Sequence, residues 1–409
     1  MNELLYLVHR IPYPPNKGDK IRSFHLLKHL ARSHKVHVGA FVDDPDDWQY
    51  ADALAKLAGG EVKLLPLHSR MATLKSAIGL LTGEPLSVPY YRDRGMQAWV
   101  NAMLAQRPIH HAVVYSSSMA QYIMDRPRLR RVIDFVDIDS DKWRQYADKK
   151  AWPMCMVYRR EAHKLFEYER RVTHAFDAAC FVSDAESNLF KQLAPDCDSK
   201  VFAYSNGVDT EFFSPANAGV SPYPDNVRAI VFTGAMDYWA NVDAVAWFAK
   251  EAFPAIRAAN RDVKFYIVGA RPSAAVQALA NESSVVVTGA VQDTRPYIAH
   301  AALAVAPLRI ARGIQNKVLE AMAMAKATIV TPEALEGIAA EPGSELLLAA
   351  DAQAFAKRCQ QLLTNPEPEI GIAARKRVVA DFGWDAHLEK FDARLHGKSD
   401  SHETRKAAA

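Results

Sequence analysis

One pattern runs twice along this chain and restricts its fold more than any other property. Short apolar runs bounded by turn formers alternate with longer segments of helical periodicity. The first series of runs is Leu4 to Val8, Lys35 to Val42, Val62 to Leu67, His111 to Tyr115, Val132 to Val136 and Ala178 to Val182. The pattern restarts after the turn-rich stretch SNGVDTEFFSP, Ser205 to Pro215, with Ala229 to Phe232, Lys264 to Val268, Ser284 to Val287, Leu303 to Ala306 and Thr328 to Val330. Near-continuous apolar strands separated by helices predict parallel sheets covered on both faces, hence an α/β fold. At 409 residues the chain exceeds what one core usually supports, so each series forms its own domain, 1–205 and 206–383. A last helical pattern, 384–396, lies beyond the second series and is expected to pack back on the first domain. The polar, alanine-rich tail 397–409 is expected to be disordered.

Composition narrows the function classes. A formal charge of only +3, with basic residues scattered, argues against nucleic-acid binding. Cys155, Cys180, Cys197 and Cys359 lie far apart, without the spacing of a zinc site or a disulfide framework, which fits a reducing cytoplasm. The opening MNELLYLVHRIPYPP is too short in its apolar run for a signal peptide, and no segment reaches the length of a membrane span. A membrane-borne substrate is therefore expected to be met at the inner face of the plasma membrane. Lys142 to Arg171 mixes cations (Lys149, Lys150, Arg159, Arg160, Arg170) with Trp143, Trp152, Met154 and Met156, with Pro153 breaking or kinking it. It reads either as a surface that rests on anionic lipid or as a long helix with one buried and one solvated face.

The most informative chemistry lies in PLRIARGIQNKVLEAMAMAKATIVT, Pro307 to Thr331. A strand ends in a glycine-containing loop and a helix begins near Gln315. First-turn amides without intrahelical partners, together with the helix dipole, favour an anion there. Arg309, Arg312 and Lys317 add charge suited to a diphosphate. Glu320 follows on an otherwise apolar helix. It either pairs with Lys317 on a solvated face or holds a ribose diol.

RGIQNKVLEAMA, Arg312 to Ala323, resembles the signature of family 4 glycosyltransferases of GT-B fold, in which a Glu, seven residues and a second Glu precede a small-residue helix. Glu320 matches the second Glu, and Arg312 stands where the family has the first. The resemblance extends to VSDAES (Val182 to Ser187), SNGVD (Ser205 to Asp209) and FTGAMDYWANVDAVAWF (Phe232 to Phe248). NKGDKIRSFHLLKHL and VIDFVDIDSDKWRQYA look like the sugar transferases found with exosortase/PEP-CTERM exopolysaccharide systems. It implies two Rossmann-like domains facing a central cleft, a retaining, metal-independent transfer without cofactor, and a UDP- or GDP-sugar donor. The acceptor implied is a glycan or lipid-linked oligosaccharide. Glu320 then holds the ribose, while Arg309, Gly313, Ile314, Gln315 and Asn316 line the phosphates and sugar. Arg312 and Lys317 neutralise the leaving group, Arg312 alternatively reading a carboxylate on the sugar. Family members often carry an Arg and a Lys between Gly234 and Ala249; neither is present here. Asn241 is read there as a polar contact or, in preference, a helix N-cap.

In the first domain, the resemblance places the loop Asn16 to Lys20 over donor and acceptor, with Gly18 permitting close approach; for Lys17 and Lys20 a simply solvated position is the alternative, and Lys20 is given no role. Asp134, Asp137 and Asp139 at the end of the strand VIDFVDID are expected on one side of the sheet edge, to orient acceptor hydroxyls, accept a proton or bind a cation, Asp137 standing nearest to where members of the resembled family often have a His; Asp139 or Ser140 alternatively caps the following helix. His9 ends the first strand and is left outside the set. Two other classes share these features: a nucleotide-sugar epimerase of related fold, which needs no acceptor, and a non-catalytic nucleotide-binding scaffold.

Overall fold

The computed structural model describes residues 2–15, 18–148, 151–311 and 314–397. They form two compact units, the first comprising Met1–Asn206 with His387–Ala409 and the second Gly207–Ala386; of the tail 397–409, all but Gly397 lies outside the described residues.

Unit 1 is built on β1 (Asn2–Val8), β2 (His34–Val42), β3 (Gly59–Pro66), β4 (Ile109–Tyr115), β5 (Arg130–Val136), β6 (Ala178–Phe181) and β7 (Val201–Ala203). All pairings are parallel, in the order β3-β2-β1-β4-β5-β6-β7. The central strand explains why the pattern lacks alternation: Leu4, Leu5, Tyr6, Leu7 and Val8 are all fully buried, because helices cover both faces. Unit 2 repeats the plan with β8 (Arg228–Thr233), β9 (Val263–Val268), β10 (Val285–Gly289), β11 (Leu303–Ala306), β12 (Thr328–Val330) and β13 (Leu347–Leu348), ordered β10-β9-β8-β11-β12-β13. In both sheets the order reverses beside the first strand, so the loops after β1 and β4, and after β8 and β11, open the crevice where such sheets bind ligands.

The last helix, Trp384–Leu395, reaches unit 1 through Phe391, whose ring meets Phe202 and Tyr204, and through Asp392, 2.7 Å from His29 Nε2. Arg130 donates to the carbonyls of Arg394 and Leu395, satisfying acceptors that the helix end leaves over.

The charged segment is two helices, Asp139–Ala147 and Met154–Ala175, separated at Pro153. The second buries Ala162, Leu165, Tyr168 and Val172 on one stripe. Trp152, Met154 and Met156 remain exposed; Lys149 and Lys150 lie outside the described residues. No described helix is long and apolar enough to cross a membrane.

Candidate functional site

In unit 2, the Asn316–Ala323 helix starts shortly after β11, with Gln315 extended at its N-cap and its carbonyl receiving the amides of Val318 and Leu319. Val318, Leu319, Met322 and Ala323 are buried in the main core. That packing fixes the helix, and its remaining face carries Lys317 and Glu320. Lys317 Nζ donates to Gln315 Oε1 at 3.3 Å and stands 5.7 Å from the centre of the Phe232 ring.

Neither charge sits on a solvated face. Burial lowers the Lys317 pKa, opposed by the Glu320 carboxylate. Burial raises Glu320 to about 7, opposed by Lys317. A part-buried carboxylate titrating near neutrality is what functional sites tend to collect.

The end of β8 meets this helix. A Cβ placed on Gly234 would lie 2.8 Å from Asn241 Nδ2 and 3.3 Å from Lys317 Cε, so only glycine lets the three approach. Gly269, after β9, is tighter still: its Cβ would fall 1.7 Å from the Gly234 carbonyl oxygen. Asn241 is not an N-cap. Tyr238 holds that position, and Asn241, in the first turn, donates from Nδ2 to the Ala235 carbonyl at 2.9 Å. Its Oδ1 is buried without a hydrogen-bond partner, an arrangement costing about 1–3 kcal/mol and rare enough in native structures to call for an explanation.

The remaining expected donor residues divide. Arg309 is turned onto Asp243, its Nε 3.0 Å from Oδ2, on the exposed side of the Trp239–Trp247 helix, so its charge is already matched. Ile314 packs its side chain against the main core. Asn316 is exposed. Arg312 and Gly313 lie outside the described residues.

In unit 1, the crevice edge gathers groups from β1, β4 and β5. Arg10 reaches Asp19 and Asp43, each at 2.9 Å, and His9 Nε2 is 3.7 Å from Asp19 Oδ2. The His9 ring stacks on Tyr115 at 5.8 Å, and Tyr115 donates to the Asp19 carbonyl at 3.0 Å. Hydrogen bonding from His9 and Arg10 holds the Asp19 carboxyl well below the usual range, against its partial burial. Asp137 accepts from Lys142 Nζ at 2.6 Å and Asp139 from the same ammonium at 3.4 Å. Burial raises the Asp139 pKa, with Lys142 opposing it and Asp137 and His9 among the nearby charges. Gly18 opens the Gly18–Leu30 helix; Asn16 and Lys17 lie outside the described residues.

Three readings for this edge are corrected. The three aspartates do not share a side, because the strand ends at Val136, whose φ of 71° breaks the alternation; for a β-branched residue that conformation costs roughly 1–3 kcal/mol. Asp134 is wholly buried and accepts from Arg22 Nε at 2.8 Å and Tyr204 Oη at 2.5 Å. Neither Asp139 nor Ser140 caps the next helix: Ile138 precedes it, and Ser140 Oγ donates to Glu169 at 2.6 Å. Lys20 is buried rather than solvated and pairs with Asp47 at 2.5 Å.

Sequence reasoning also missed Arg22, which reaches the Tyr204 carbonyl at 3.1 Å and Asn206 Oδ1 at 2.9 Å and lies over the Tyr204 ring at 3.6 Å. It thereby anchors the junction motif to β5. Its only sequence signal was a guanidinium on an otherwise core-facing stripe.

With this geometry in hand, comparison with known proteins is decisive for the fold. Over nearly its whole length the chain superposes on sucrose-phosphate synthase from Thermosynechococcus elongatus, with TM-score 0.61, 16% identity and 100% of each chain covered. It likewise superposes on WaaG, a glycosyltransferase involved in lipopolysaccharide biosynthesis, with TM-score 0.58, 15% identity, and 96% and 100% of the two chains covered. The fold is GT-B. Anabaena HepE, solved in complex with UDP and glucose, shares this GT-B fold at TM-score 0.59 and 14% identity, over 97% of this chain and 100% of that one. Residues 227–365, which hold β8 through the helix carrying Lys317 and Glu320, match the family model described as glycosyl transferases group 1. No curated protein gives a significant sequence match.

Proposed function

We propose that this chain is a retaining glycosyltransferase that moves a sugar from a nucleotide diphosphate sugar to an acceptor hydroxyl in exopolysaccharide or other cell-surface glycan assembly. The observation that carries the reading is Lys317 and Glu320 at the start of the helix after β11, beside Gly234 and Asn241, within the segment that matches the group 1 model.

First-turn amides and the part-buried Lys317 ammonium offset the charge that develops on the departing diphosphate, which is the largest demand of such a transfer. Partial desolvation strengthens that interaction relative to water. Glu320, ionised, accepts from both ribose hydroxyls, and a donor hydroxyl supplies the partner that Asn241 Oδ1 lacks. Gln315 and Asn316, at the start of the same helix, are assigned to the donor with it, as are Arg312 and Gly313 from their place in the sequence. Arg309, already held by Asp243, contributes at longer range. The HepE complex makes uridine diphosphate the first base to try and guanosine diphosphate the second. In unit 1, Asp137 with its Lys142 partner serves the acceptor hydroxyl, and Gly18 permits close approach of the helix start.

A lipid-linked acceptor met at the inner face of the plasma membrane is supported by exposed Leu74, Met154 and Met156, on two helices that Arg160 ties together through the Gly79 carbonyl at 2.6 Å, and by exposed Trp152 in the turn just ahead of the second.

Thermal-shift titration of UDP, GDP and their sugars against wild type and Glu320→Ala tests the donor site. Selective stabilisation by one nucleotide, lost in the variant, is the expected result; no stabilisation by any of them overturns the assignment.

A further inference from the structure

Among the described residues, one group of mixed metal-ligating side chains converges, and it lies at the opposite edge of the unit 1 sheet from the loops discussed above. His174 stands in the last turn of the Met154–Ala175 helix, ahead of β6. Asp196 and Cys197 stand in the turn Pro195–Lys200, ahead of β7. Their ligand atoms lie within 4.8 Å of one another. Cys197 Sγ is 3.7 Å from His174 Nε2 and 4.0 Å from Asp196 Oδ2, while His174 Nε2 and Asp196 Oδ2 share a hydrogen bond.

We propose that His174, Asp196 and Cys197 form a binding site for a borderline-soft divalent cation of the Zn2+ class. With the usual Zn–S, Zn–N and Zn–O lengths, a tetrahedral site has S···N and S···O edges of about 3.6 Å and an N···O edge of about 3.4 Å. The two sulfur edges are close to this already. The third is shorter because a proton bridges imidazole and carboxylate, and a cation that replaces the proton spreads the pair. One nitrogen, one sulfur and one oxygen donor suit Zn2+ or Co2+ over Mg2+ or Ca2+, which favour all-oxygen shells.

The surroundings fit such a site. Arg170 Nε bonds both Asp196 oxygens, at 3.1 and 2.8 Å, so it can hold Oδ1 and orient the carboxylate while Oδ2 turns to the ion. Lys200 is committed to the carbonyls of His174 and Phe176, at 2.6 and 2.7 Å, which keeps its ammonium on the backbone. Cys197 is buried at 1% exposure, while the His174 side chain is about half exposed at 49%, so the ion enters from the imidazole side and the fourth position opens to water. A bound ion would clamp the long helix to the amino ends of β6 and β7. Nothing in the spacing of these residues signalled the cluster, since His174 stands more than twenty positions before Asp196 and Cys197.

The test uses the full chain, stripped of metal and titrated with Co2+ and then Zn2+. One equivalent of Co2+ should bind with a thiolate-to-cobalt charge-transfer band in the near ultraviolet, and Zn2+ should displace it. The band should vanish in Cys197→Ser, and affinity should fall at least ~100-fold in His174→Ala, beyond the loss typical of an outer-shell partner. Because burial of Cys197 puts folding of its variant at risk, the half-exposed His174 variant decides the matter. Absence of Co2+ binding in the micromolar range, binding without the thiolate band, or a band unchanged in His174→Ala would each overturn the site.

Discussion

The buried pair Arg22–Asp134 is the feature of unit 1 whose removal should be felt most. Both side chains are at most 1% exposed, and they share two hydrogen bonds, at 2.8 and 3.3 Å. Asp134→Asn removes the charge that matches the guanidinium, and Arg22→Met leaves the carboxylate without its countercharge. Breaking a buried pair from one side costs about 3–5 kcal/mol, because an uncompensated charge stays in the core. For a domain of this size about 1 kcal/mol moves Tm by roughly 2–4 °C, so each single variant should lower the unit 1 transition by about 6–20 °C. Replacing both residues, Arg22→Met with Asp134→Leu, removes both charges. It still strands the Tyr204 hydroxyl, which donates to Asp134, and the Val136 amide, 3.0 Å from Asp134 Oδ1, at about 1–3 kcal/mol each. The double variant should therefore cost clearly less than the two singles together. Calorimetry, with hydrogen exchange at the β5 amides to assign the transition, measures all three. Single variants within about 1 kcal/mol of wild type, or strict additivity, would refute the reasoning.

Three further outcomes follow from the same geometry. Burial raises the fully buried Glu169 to about 8, against about 4.3 in an unfolded chain. Between those values the folded chain keeps a proton that the unfolded chain has lost, so this group's stabilisation is complete below about pH 4 and drains away as pH rises towards 8. Glu169→Gln should gain more than about 1.4 kcal/mol on wild type between pH 5 and pH 8, one pKa unit's worth; parallel urea-melt stability curves for the two proteins would contradict this. If ionised Glu320 holds the ribose, nucleotide affinity should rise as pH passes through about 7 and Glu320→Gln should flatten that rise; calorimetric titration from pH 6 to pH 8 checks it, and an unchanged slope in the variant counts against the contact. Gly234→Ala should abolish nucleotide binding at a stability cost of about 1–3 kcal/mol, because the new methyl displaces Asn241 and Lys317, whereas Gly269→Ala, which meets a backbone carbonyl, should lose considerably more in the same melts.

How much of this could be read from the chain follows from what each feature depends on. Eleven strands announced themselves as apolar runs. Val201–Ala203 and Leu347–Leu348 did not, because edge strands of two or three residues are too short to show a period. The helix of Lys317 and Glu320 was legible because two charges interrupt an apolar segment beside a glycine loop. Their approach to Gly234 and Asn241 was not, since it depends on β8 lying next to β11 in the sheet, which no local pattern encodes. The aspartates of β5 misled because period-two reasoning assumes a regular strand, and the left-handed Val136 ends that regularity. Lys20 could not be assigned because its partner, Asp47, lies a whole strand away. Burial and pairing over long sequence distances are the common thread of these misses.

The central claim, that a nucleotide diphosphate sugar is the donor for glycosyl transfer, is tested most directly by turnover. Wild type and Lys317→Ala are incubated with the stabilising radiolabelled nucleotide sugar, with and without bacterial membrane extract. Nucleotide release that requires the extract, label appearing in its glycan or lipid fraction, and loss of both in the variant are the predicted results. Release that proceeds equally without an acceptor, leaving no label in the extract, would contradict transfer and point to epimerase or hydrolase chemistry.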